Sequence, residues 1–147
     1  YIQPCIRTHL PLDMVCVMLG SNDLKAAFRL TAEEIAGQAA RVLARAREVV
    51  ESKYPHSPCE YLLISPIEAG QELLDGPFGW EFEGLLTIKK SKEFALCFAK
   101  EAQDHDFLFF DAAKYAAAGK IDGLHMDAAN HRKLGEAMGR WLLAHYA

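Results

Sequence analysis

The stretch MVCVMLGSND, residues 14–23, decides the fold. Residues 14–19 form a short apolar run, and Gly20, Ser21, Asn22 and Asp23 follow at once. An apolar run of this length, closed by turn formers, predicts a strand buried on both faces. Two similar runs lie further on: EYLLISP at 60–66, stopped by Pro66, and FLFFDA at 107–112, which contains Asp111.

Helical patterns lie between and after these runs. Thr31 and Glu34 have the spacing of a capping box. Behind them Ile35, Ala39, Val42, Leu43, Ala46, Val49 and Val50 recur on one face, while Arg41, Arg45, Arg47 and Glu48 fall off it. The pattern predicts a helix reaching about residue 52, ended by Pro55 and Pro58. A second helix is predicted over 85–103, with Ser91, Phe94, Ala95, Phe98 and Ala102 on one face. A third is predicted over 128–145, with Asp127 as N-cap and Leu134, Met138, Trp141 and Leu142 as its apolar stripe. Continuous apolar strands alternating with amphipathic helices specify an α/β protein with a parallel sheet. All 147 residues fit one domain.

Composition narrows the function. Apolar residues make up 51% of the chain, and the net charge is −4. That balance argues against a nucleic-acid surface or an anionic membrane surface, both of which attract clustered Lys and Arg. No apolar run is long enough to span a bilayer. The cysteines, Cys5, Cys16, Cys59 and Cys97, show no metal-binding or redox spacing. They read as free thiols, with Cys16 and Cys97 expected to be buried, and they suggest a reducing, cytoplasmic setting. No metal and no organic cofactor is expected. The chain starts at Tyr1 without a signal peptide, as though cut from a longer protein.

Two segments carry chemistry. In DGLH, residues 122–125, Asp122 sits three positions before His125 in a loop ahead of the last helix. A carboxylate on Nδ1 of an imidazole fixes its tautomer and stabilises its charged form. In LGSND, Asn22 stands just past a strand end, where its amide N–H can meet a developing oxyanion. Taken alone, each also reads as ordinary loop and cap chemistry. Lys25 and Phe28, close behind, could line a pocket mouth. The loop 67–84 follows a strand C-terminus, where open α/β sheets bind ligands. Its Ile67, Phe78 and Trp80 are candidate pocket residues, and Phe82 continues the aromatic alternation.

The order strand–GxND, strand–DA, DGLH–helix resembles the SGNH (GDSL-type) hydrolase family. THLPLD (8–13), MLGSNDLK (18–25), ISP (64–66) and FEG (82–84) are similar to its arylesterase and acyltransferase branch. The resemblance implies a flavodoxin-like three-layer fold, of which this chain holds strands three to five. It implies Asn22 as oxyanion donor, Asp122 as orienting acid and His125 as base, acting on small carboxylic esters by hydrolysis or by transfer to an alcohol.

The family's GDS nucleophile block is absent. Of Ser21, Ser52, Ser57, Ser65 and Ser91, none occupies its position. The expectation is therefore an esterase whose serine lies outside this chain. Its strand at 14–19 would be an open edge, covered by a cleaved N-terminal piece, by a second copy or by a rearranged segment 1–13. The alternatives are a catalytically inactive fragment that pairs or self-associates through that edge, and a flavodoxin-like binding module.

Overall fold

A computed structural model describes residues 1–147. The strands are β1 (Met14–Val17), β2 (Glu60–Ser65) and β3 (Leu108–Asp111). They pair in parallel in the order β1-β2-β3, with Val15 beside Tyr61 and Leu63 beside Phe109. The helices are α1 (Ile2–His9), α2 (Ala32–Lys53), α3 (Leu85–Asp104) and α4 (Ala128–His145).

The helix starts follow from local hydrogen bonding. Both halves of the capping box form at α2: Glu34 N–H donates to Thr31 Oγ1 at 3.2 Å, and Thr31 N–H to Glu34 Oε2 at 2.8 Å. Asp127 caps α4 by accepting from Asn130 N–H at 2.8 Å.

Alternation along the strands builds two cores. Val15, Val17 and Leu63 point to the face covered by α2 and α3, where Ile35, Leu43, Phe94 and Phe98 are buried. Leu62, Ile64 and Phe110 point to the other face, under Leu134 and Ala137 of α4. The three layers are thus two helices, a parallel sheet and one helix: the parallel sheet is as the strand and helix patterns predict, the layering as the resemblance implies.

Four details differ from the sequence expectation. Residues 2–9 form a helix packed on α2 through Ile6, so segment 1–13 does not pair with the outer edge of β1. The first strand stops at Val17, leaving Met18 and Leu19 exposed beyond it. Cys16 is exposed rather than buried, although its pairing neighbour Leu62 on β2 is fully buried. Cys97 is only half-buried, and Cys59 is the one buried thiol.

Candidate active site

All the candidate chemistry gathers at the carboxyl end of the sheet. β1 ends at Val17, and Gly20 then takes φ +131°, a conformation that side-chain-bearing residues rarely adopt. A Cβ there would stand 2.9 Å from Ile35 Cγ2, so glycine also lets the chain press onto α2. A 3-10 turn follows over Asn22–Leu24 and leaves Asn22 exposed.

The second half of the site comes from the loop before α4. Asp122 is buried, and its carboxylate serves three donors. Oδ1 accepts from the N–H groups of Leu124 and His125, each at 2.9 Å, and Oδ2 lies 2.6 Å from His125 Nδ1. Gly123, at φ +65°, makes this tight turn, and a Cβ on it would lie 2.3 Å from Leu73 N. Burial pushes the Asp122 carboxyl up, but the imidazole and the two backbone donors outweigh it and hold the group below the usual carboxylate range. The imidazole is anchored at Nδ1 while its side chain stays 75% exposed. Nε2 is therefore the nitrogen left to meet a reacting group.

These residues share one cavity of about 300 Å³. Asn22, Ser21 and Asp23 line one side and His125 another, with Ile67, Pro66 and Phe82 from the segment after β2. Met18, Leu19, Gly20, Leu124, Met126 and His131 complete the wall.

Among the pocket residues expected from sequence, Ile67 lines the cavity. The other four lie outside its wall. Lys25 is turned onto Glu81, with Nζ 2.5 Å from Oε2. Phe28 is exposed, and Trp80 is 82% exposed. Phe78 stands edge-on to His125, with ring centroids 6.0 Å apart. The alternation Phe78, Trp80, Phe82 belongs to a 3-10 turn rather than a strand, so it does not send the three rings to one side. Only Phe82 is buried.

His131, which the sequence reads as a surface residue of the last helix rather than a metal ligand, also lines the wall. The available signal was its place in the opening turns of α4, directly behind the DGLH loop. Among the serines, Ser65 is fully buried, with Oγ against Pro66 O at 3.5 Å. Ser91 is buried, accepting from Ala69 N–H and donating to Ile88 O. Ser21 is the serine that reaches the cavity wall.

The molecule is thus an open α/β protein whose polar candidates converge where that class binds ligands. No protein-family model matches the sequence, and no curated protein matches it. Solved structures do. Est24, a carbohydrate acetylesterase from Sinorhizobium meliloti, superposes with a TM-score of 0.84 at 29% identity, over 98% of this chain and 66% of that one. The aryl esterase of M. smegmatis superposes with a TM-score of 0.80 at 32% identity, again over 98% and 66%. An acetyl-xylooligosaccharide esterase from Geobacillus, at 17% identity and a TM-score of 0.55, shares the fold. The chain belongs to the SGNH hydrolase family and spans about two thirds of the length of these first two structures.

Proposed function

We propose that these residues are the acid–base and oxyanion part of a serine esterase acting on small carboxylic esters. The observation that carries the reading is the 2.6 Å Asp122–His125 contact, facing the same cavity as Asn22. In this reading a serine hydroxyl attacks the ester carbonyl, and its proton passes to Nε2 of His125. Asp122 keeps Nδ1 protonated and stabilises the imidazolium. The Asn22 amide donates to the oxyanion. The imidazolium returns the proton to the leaving alcohol. Water, activated by His125, then releases the acyl group, or a second alcohol accepts it. The activities named for the two longer structures, an acetylesterase and an aryl esterase, support an ester substrate.

The nucleophile is the missing part. We infer that it arrives from outside these 147 residues, on a strand that pairs along the open edge of β1. Two observations support that side of approach. The outer edge of β1 has no partner strand. Cys16, Met18 and Leu19 are exposed there. A second reading, with Ser21 as nucleophile, is favoured only by its presence in the cavity wall.

The test is hydrolysis of p-nitrophenyl acetate by the full-length protein that carries these residues. His125→Ala is expected to lower kcat by about 10⁴ or more, and Asn22→Ala by about 10²–10³, with little change in KM. Unchanged turnover in His125→Ala overturns the reading.

A further inference from the structure

Asn22 and His125 sit on separate loops, one after β1 and one after β3. The sheet order puts β2 between them, so the segment after β2 is the natural bridge. One short piece of it, residues 78–82, touches both sides. Toward Asn22, Glu81 O accepts from Ala26 N–H at 2.9 Å, and Glu81 Oε2 lies 2.5 Å from Lys25 Nζ. Phe82 forms an isolated antiparallel bridge with Lys25, whose own N–H donates to Asn22 O at 3.2 Å. Toward His125, the Phe78 ring stands edge-on to the imidazole. Within the turn, Glu81 N–H donates to Phe78 O at 2.9 Å, so the two ends are joined directly. Further back, Gly70 N–H donates to Gly123 O at 2.8 Å, inside the Asp122–His125 loop.

Neither Lys25 nor Glu81 contributes to the cavity wall, so their ion pair does not serve as a substrate contact. Both side chains are partly shielded, at 33% and 24% exposed. A base and an oxyanion donor must keep their relative positions to within a fraction of an ångström for a shared substrate. Loops from different strands do not do so unless something joins them.

We infer that the 78–82 turn is a strap that sets the spacing between Asn22 and His125, with Phe78 and Glu81 as its ends and the Lys25–Glu81 pair as its fastening. Lys25 and Glu81 are then positioning residues. The inference rests on reading Asn22 and His125 as partners in one site.

The test is nuclear magnetic resonance on the protein carrying Glu81→Gln, which keeps the shape and the backbone acceptor but removes the charge. Exchange of the Ala26 N–H should quicken about two- to fivefold, as befits a partly shielded ion pair. The Asn22 side-chain amide and the His125 ring signals should shift together, while the Leu62 and Leu63 amides keep their exchange rates. Reversing the pair, Lys25→Glu with Glu81→Lys, should restore the original signals. Unmoved Asn22 and His125 signals in Glu81→Gln, equal acceleration at Leu62 and Leu63, or no restoration by the reversed pair each overturns the strap. No ester turnover enters these readouts. A protein found to lack esterase activity would leave the coupling standing, and a failed coupling would leave the turnover assay to judge the site.

Discussion

Removing the Asp122 carboxylate should loosen the loop that holds His125, by an amount its hydrogen bonds fix. Asp122→Ala strips the acceptor from the Leu124 and His125 N–H groups and the partner from the imidazole. A hydrogen bond to a charged group contributes about 1.5–3 kcal/mol net, and the sum here is reduced because the His125 imidazole stays 75% exposed. The expected loss is about 3 kcal/mol, or a fall in Tm of roughly 6–12 °C for a chain of this size. Asp122→Asn keeps an oxygen for both backbone donors and loses only the charged contact with the exposed ring, about 1.5 kcal/mol, the low end for such a bond.

The pH dependence separates charge from shape. Asp122 is held below the usual carboxylate range in the folded chain, against its own burial, by His125 and the two backbone N–H groups. Its contribution is therefore complete above the unfolded value of about 4 and is lost as pH falls through the lower folded value. Urea unfolding followed by circular dichroism at pH 7, 5, 4 and 3 measures both effects. The gap between wild type and Asp122→Asn should close below about pH 4. Equal stability of all three proteins at pH 7, or a gap that widens on acidification, refutes the reasoning.

Three further substitutions have set outcomes. Asn22→Ala should leave Tm within about 1 °C of wild type, because an exposed side chain is lost, while under the proposed reading p-nitrophenyl acetate turnover falls. Gly123→Ala should cost more than about 3 kcal/mol in urea unfolding, since its Cβ would meet Leu73 N at 2.3 Å and Gly70 O at 2.9 Å at a positive φ. Ser91→Ala should cost about 1–2 kcal/mol by the same measurement, because the Ala69 N–H loses a buried acceptor at 2.9 Å.

The sequence disclosed the parts of the fold that local chemistry specifies. Thr31 with Glu34, and Asp127 with the stripe behind it, fix two helix starts because the capping bonds are made within three residues. The three apolar runs mark the strands because both faces of the sheet demand cover. α1 was not legible: its eight residues hold Pro4 and several polar side chains, and its one deep anchor, Ile6, acts only once α2 is present. The exposure of Cys16 is not legible for a related reason, since apolar neighbours in sequence do not say which strand positions other elements will cover.

At the site, the motif residues were legible and most of the wall was not. Asp122, His125 and Asn22 sit in patterns whose chemistry depends on spacing. Met126 and His131 reach the cavity only because α4 starts beside it. Lys25 was drawn from the expected pocket by Glu81, a partner more than fifty positions away that no local pattern announces.

The central claim is that His125 serves a serine lying outside these 147 residues. Fluorophosphonate treatment of the full-length protein, followed by peptide mapping, tests it most directly. The account predicts a single adduct on a serine beyond residues 1–147, formed far more slowly in His125→Ala. An adduct on Ser21, or no adduct at all, contradicts it.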